Sequence, residues 1–146
     1  MSSTHACIYL HVVFGTKDRI PWISAEHLTR LHSYIGGCLS AAGSKALAVG
    51  GISDHVHILL RIDTTQDVAG LMRSVKRESS RWMKEQTADG LFAWQPGYAV
   101  FSVSPSGVEE VRRYILKQEE HHKIRSFEDE FQIMLQKAGL EAERTQ

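Results

Sequence analysis

Residues 45–62, KALAVGGISDHVHILLRI, decide the fold. KALAVGG and VHILLRI read as two strands joined by the turn-like Ile52-Ser53-Asp54, with strained geometry expected near Gly50–Gly51. A hairpin in mid-chain constrains what can lie on either side of it. Upstream, residues 5–14 (HACIYLHVVF) are rich in β-branched and aromatic residues and read as a mostly buried strand. Ser24 is placed to cap a helix reaching about Ala42, with the stripe Leu28, Leu31, Ile35 and Leu39 and with Gly43 as its stop. Downstream, Gln66 to about Gln86 has helical periodicity, with Thr64 or Thr65 as the cap. Val68, Leu71, Met72, Val75, Ser79 and Trp82 form its buried face. YAVFSV at 98–103 reads as another strand. Ser106 and Glu109 stand in capping-box spacing at the head of a helix over about 107–122, and Ser126 opens a last helix ending near Gly139. The order β-α-β-β-α-β-α-α predicts an α+β fold: a ferredoxin-like antiparallel sheet followed by C-terminal helices.

The remaining bulk properties exclude several classes. The chain has 146 residues, 42% hydrophobic and 23% charged, which is globular composition and the length of one domain, 1–146. It carries no internal repeat, no low-complexity segment and no apolar run of about 18 residues, so no membrane span is expected. The apolar N-terminal stretch lacks a basic lead, which argues against a signal peptide. Cys7 and Cys38 are lone thiols without metal or redox spacing and fit a reduced, cytoplasmic protein. The net charge is zero, but residues 1–118 hold 13 basic and 10 acidic side chains and residues 119–146 hold 4 and 7. Within 71–84, Arg73, Lys76, Arg77, Arg81 and Lys84 face only Glu78. A polyanionic partner is therefore compatible with the sequence if attraction is local.

Two segments carry the chemistry. On a strand, His55 and His57 point to one side while Val56 enters the core. Their Cα atoms lie about 7 Å apart, close enough for two imidazoles to converge on one metal ion. Alone, the pair is a weak signal, and a strand that simply carries two surface histidines is the plainer reading. The second segment is Val111-Arg112-Arg113-Tyr114-Ile115-Leu116-Lys117-Gln118. Tyr114 and Gln118 stack on one helix face, offering a phenol and a neutral oxygen ligand. Tyr114 also borders the stripe Val108, Val111 and Ile115, where an anchoring aromatic is the plainer reading. Together, two histidines and a glutamine supply uncharged ligands that leave a divalent cation's charge for a phosphate. A tyrosine beside it can then act as nucleophile. A hydrolase would usually want a carboxylate base, and the only acidic residues adjacent to these motifs are Asp54 and the Glu119–Glu120 pair.

The combination resembles a known family. GGISDHVHILL is similar to the His-hydrophobic-His strand of the HUH single-strand nucleases, and RRYILKQEEHH to the Y-x-x-x-Q helix of their single-tyrosine transposases. HVVFGTKDR, VKRESSRW and FAWQPGYAVFSVSP also resemble this family, so the likeness covers about residues 8–138. It implies an insertion-sequence transposase, or a relative acting on repetitive extragenic palindromes. It implies Tyr114 as the nucleophile that forms a 5′-phosphotyrosine bond to single-stranded DNA. It implies His55, His57 and Gln118 as ligands of Mg²⁺ or Mn²⁺. It also implies DNA hairpins as partners, a cytoplasmic bacterial setting, and a homodimer whose tyrosine helix can complete the partner's site.

The phosphate contacts expected on charge are Lys17, Arg19, Arg73, Lys76, Arg77, Arg81, Lys84, Arg112 and Arg113. A solvated helix face explains the 73–84 stripe equally well. Trp22, Trp82 and Trp94 are candidates to stack on bases, with core packing the plainer role for Trp82. Two readings of other classes compete. One is a non-catalytic ferredoxin-like nucleic-acid-binding module. The other is a zinc hydrolase using His55, His57 and a third ligand from His121 or His122. His121, near the face of Tyr114, can also assist proton transfer, although a helix-end histidine meeting the dipole is the simpler view. His11 shares a strand face with Tyr9, and its place relative to the site stays open.

Overall fold

The computed structural model describes residues 3–88, 90–122 and 125–140; the side chain of His121 lies outside them. Four strands form one sheet: β1 (Ile8–Gly15), β2 (Lys45–Ile52), β3 (His55–Ile62) and β4 (Ala99–Val103). Their spatial order is β2-β3-β1-β4 and every neighbouring pair is antiparallel. Helices α1 (Ala25–Ala41) and α2 (Val68–Gln86) complete the predicted ferredoxin-like arrangement. No helix among the described residues is long and apolar enough to cross a membrane.

The alternation of β1 and β3 divides the molecule into two layers. Leu10, Val12 and Phe14 of β1, with Val56, Ile58 and Leu60 of β3, pack against Leu31, Ile35 and Leu39 of α1 and Leu71, Met72, Val75 and Met83 of α2. On the other face Leu59 joins Ala48 and Ile115 in a smaller cluster. His11, His55 and His57 lie on that second face. A strand buried on both sides reads as a nearly unbroken apolar run, which is why β3 is so hydrophobic around its two histidines.

Several boundaries differ from the expectation. The cap of α2 is Asp67, which accepts from the Gly70 amide at 3.1 Å, rather than Thr64 or Thr65. Thr64, Thr65 and Asp67 are all good capping types, and Asp67 is the one that stands directly before the first helical residue, Val68. Met83 takes the buried place assigned to Trp82, which is half-buried and stacks on Tyr34 at 5.5 Å. The Ser106–Glu109 capping box does not form: Ser106 lies in a short 3₁₀ turn (Pro105–Gly107), and Gly107 begins the next helix without a side-chain cap. That helix is not continuous. It divides into α3 (Val108–Leu116) and α4 (Gln118–His122) at Lys117, whose φ of −108° and ψ of 25° leave the helical region. The last helix, α5 (Phe127–Lys137), is capped by Ser126 as expected, through the Asp129 amide.

Gly50 allows the close approach of α3, and Gly51 the close approach of β3. A Cβ at Gly50 would overlap the carbonyl oxygen of Ile115, and one at Gly51, where φ is 150°, would overlap the His55 carbonyl. The missing side chain lets the end of α3 lie on β2. Gly50→Ala is expected to destabilise the fold by about 3 kcal/mol, the upper range for forcing atoms into a packed site. That exceeds the roughly 0.4–1 kcal/mol gained from a stiffer unfolded chain. Urea unfolding checks this, and an unchanged midpoint would contradict the contact.

Candidate active site

The second face of the sheet collects polar groups from five segments. His55 and His57 of β3 are fully buried there. His11, diagonal to His57 across the β1–β3 pairing, places its Nε2 2.8 Å from His57 Nδ1. The helices close over these rings. Gln118, the first residue of α4, puts its Oε1 3.0 Å from His55 Nε2 and 2.9 Å from His122 Nε2. Glu130 of α5, 2% exposed, sets Oε1 2.9 Å from His57 Nε2, 3.4 Å from His122 Nε2 and 3.6 Å from His55 Nε2. Its other oxygen accepts a hydrogen bond from the Tyr114 hydroxyl. Tyr114 meets its own chain's histidines edge-on, with ring centroids 5.7 Å from His57 and 6.2 Å from His11.

The four residues singled out from sequence thus meet at one place. The continuous Tyr114–Gln118 helix face does not exist, because the chain breaks at Lys117. Gln118 Nε2 instead donates to the Tyr114 carbonyl at 3.2 Å, which ties the two together across the break. Sequence reasoning missed Glu130 and left His11 open. It held His122 only as a ligand of the zinc hydrolase reading, whereas His55, His57, His122 and Glu130 form one cluster with ligand atoms within 4.8 Å of one another.

The donor pattern inside the cluster fits a cation. His55 Nδ1 lies 2.8 Å from Asp54 Oδ1, and His122 Nδ1 lies 2.6 Å from the Arg125 carbonyl. Both oxygens only accept, so each ring donates from Nδ1, and a ring with that single proton turns an Nε2 lone pair inward. There the lone pairs meet the Gln118 oxygen, whose amide group is turned away toward Tyr114. Acceptors facing acceptors in a buried site repel unless a proton or cation lies among them. Their separations of 2.9–3.6 Å match the roughly 3–3.5 Å between neighbouring ligands of an ion bound at about 2.0–2.2 Å. A divalent metal held by His55, His57, His122, Glu130 and Gln118 would act there as a Lewis acid toward a phosphate oxygen.

Burial governs the proton affinities. Desolvation pushes His57 down to about 4 and His11 to about 3, despite the pull of the Glu130 charge. His32, whose buried Nε2 has no hydrogen-bond partner, falls to about 4 for the same reason. Burial would raise Glu130, but the hydrogen bond and charge of His57, with help from Tyr114 and His55, bring it down to about 2. Tyr114 moves upward through burial and the neighbouring carboxylate. A histidine lowered on folding takes up more protons unfolded than folded. The chelator-treated protein should therefore lose stability as pH falls from about 6.5 toward 4, by a few kcal/mol. Glu130 adds a further loss only below about 4.5. Melting temperatures across that range test this; a flat profile between pH 6.5 and 5 would contradict it.

The expected phosphate contacts separate into groups. Arg73, Arg77, Arg81 and Lys84 are exposed on α2, on the far side of the sheet from the cluster, with Arg77 and Arg81 paired to Glu78. Lys76 is tied down, donating to the carbonyls of Gln95 and Gly97 at 2.7 and 2.6 Å. Arg112 and Arg113 lie exposed on α3, each near Glu109. Lys17 is exposed after β1. Arg19 follows Asp18 in the left-handed region, at φ 57° and 56°, a strained pair for non-glycine residues. Its guanidinium lies 4.5 Å over Phe127, bonds Gln95, and pairs with Glu128 at 3.2 Å. Phe127 in turn stacks on His55 at 4.0 Å. Trp94 is a core residue whose Nε1 donates to Ser79 at 2.9 Å, and Trp22 packs beside Phe92.

Known proteins are similar to this chain in sequence and in fold. In sequence, the chain is 24% identical over 115 residues to the ISDra2 transposase TnpA of Deinococcus radiodurans, covering 74% of this chain and 81% of that protein. In structure, it is similar to a D. radiodurans protein assigned as a transposase (TM-score 0.66, 21% identity, 79% of this chain and 93% of that one). It is also similar to the REP-associated tyrosine transposase bound to a REP hairpin (TM-score 0.55, 14% identity, 79% and 70%). The profile described as "Transposase IS200 like" matches residues 4–118. A match over that much of the sequence, on a fold shared with solved relatives, makes the chain a member of the IS200-like transposase family.

Proposed function

We propose that this transposase cuts and rejoins single-stranded DNA near hairpins through a covalent 5′-phosphotyrosine at Tyr114. The observation that carries this reading is the hydroxyl of Tyr114 lying against a buried cluster of cation ligands in its own chain. In the cutting step the Tyr114 oxygen bonds to phosphorus and the bond from phosphorus to the 3′ oxygen breaks. The phenolic proton passes to Glu130, which already accepts it in a hydrogen bond, and the departing 3′ oxygen is protonated by water. Rejoining is the reverse step with another 3′ end, so the ester's energy is conserved. His55, His57 and Gln118 would hold Mg²⁺ or Mn²⁺, and an ion bound there would lower the phenol's pKa and polarise the phosphate. Without the ion, burial and the Glu130 charge keep that phenol protonated, so chelation should stop cleavage. Arg112, Arg113, Lys17 and Arg19 are the phosphate contacts this reading favours, because they do not lie behind the sheet.

The reading includes a cytoplasmic homodimer. Tyr114 already lies beside its own histidines, so a complete centre does not require helix exchange. One experiment tests the proposal. The protein is incubated with Mn²⁺ or Mg²⁺ and labelled single-stranded DNA carrying a hairpin, then denatured and resolved by size. Label migrating with the protein is the expected result. Binding without an adduct would leave only a nucleic-acid-binding module. A second reading gains weight from His122: three imidazoles and a carboxylate also suit a zinc hydrolase. It predicts cut DNA with no adduct.

A further inference from the structure

We propose that Glu130 is shared between the cation and the nucleophile, one carboxylate oxygen ligating the ion while the other holds the Tyr114 hydroxyl. The proposal rests on Tyr114 as nucleophile, and it gives the residue that accepts the phenolic proton a second part, as an ion ligand that neither the strand motif nor the tyrosine motif contains. A buried carboxylate is costly unless both oxygens are satisfied. Here the two oxygens face different surroundings. Oε2 takes the phenolic proton. Oε1 lies within 2.9–3.6 Å of the Nε2 atoms of His57, His122 and His55. Two of those rings have their protons committed elsewhere, to Asp54 and the Arg125 carbonyl. Oε1 thus faces ligand lone pairs as much as donors, which is a ligand's position rather than a structural carboxylate's.

The docking of α5 has supports besides this carboxylate. Ser126 caps the helix, Phe127 stacks on His55, and Arg19 grips Phe127 and Glu128 from outside. Glu130 can therefore be altered with the helix kept in place. The same carboxylate also explains how a phenol on α3 is set relative to the β3 histidines although the helix breaks at Lys117.

The test is a titration with Mn²⁺ alone, following unbound ion by electron paramagnetic resonance and tyrosine by ultraviolet difference absorption. Wild-type protein should bind Mn²⁺ and perturb a tyrosine. Tyr114→Phe should bind the ion without that perturbation. Glu130→Gln should bind at least about tenfold more weakly and lose the perturbation. Wild-type affinity in Glu130→Gln, or an unchanged tyrosine signal in wild type, overturns the proposal. If circular dichroism shows Glu130→Gln unfolded, Glu130→Asp replaces it; its shorter reach should lose the tyrosine response, and a wild-type response overturns the idea. The adduct assay separates the two readings. An adduct formed by Tyr114→Phe refutes the nucleophile assignment, whereas an adduct formed at the wild-type rate by Glu130→Gln refutes the shared carboxylate and its part as proton acceptor and leaves Tyr114 as the nucleophile.

Discussion

Tyr114→Phe should leave hairpin binding intact and yield no protein-linked DNA, with strand cleavage reduced by about 10⁴-fold or more, the scale of a lost nucleophile. The ring keeps its edge contacts with His11 and His57, so packing is nearly conserved. What disappears is the hydroxyl and its hydrogen bond to Glu130. That loss should cost about 1–3 kcal/mol of stability, since the carboxylate keeps His57 as a partner. A variant that folds, binds DNA and still cuts it at the normal rate would mean that water attacks, as in a zinc hydrolase.

His57→Ala should remove metal-dependent cleavage while much of the hairpin affinity survives. His57 is fully buried, and its ring bridges His11 and Glu130. Truncating it deletes one ligand and leaves two buried polar groups short of a partner, so metal affinity should fall by more than about 100-fold. The phosphate contacts proposed on α3 and after β1 do not touch this ring, which is why binding and cutting should separate. Paired measurements of Mn²⁺ affinity and of DNA affinity at fixed salt decide the matter. Full cleavage in the variant would remove His57 from the ligand set.

What the sequence made legible follows from physical period. The split β-α-β order needs only strand and helix patterns, and the placement of His55 and His57 on one face follows from a period of two. The break at Lys117 left no mark, because no glycine or proline punctuates 114–118 and the four-residue spacing of Tyr114 and Gln118 mimics a continuous helix. Lys76 looked like its basic neighbours, and only the carbonyls of Gln95 and Gly97 distinguish it. Glu130 did leave a signal. Phe127, Phe131, Met134 and Leu135 form a 3.6-period stripe, and Glu130 occupies the remaining inward position at i+3. A carboxylate in an apolar stripe invites the search for a partner. That search fails on sequence alone because His57 is distant along the chain.

The order in which the site's pieces are encoded has a bearing on synthesis. β3 leaves the ribosome early, yet on the proposed reading its histidines cannot act until α3, α4 and finally Glu130 have been added. A domain generally folds as a unit once it has emerged from the ribosome. A nascent chain would thus carry an inert half-site past any single-stranded DNA near its own transcript. The cutting centre would mature only after α5 has been made.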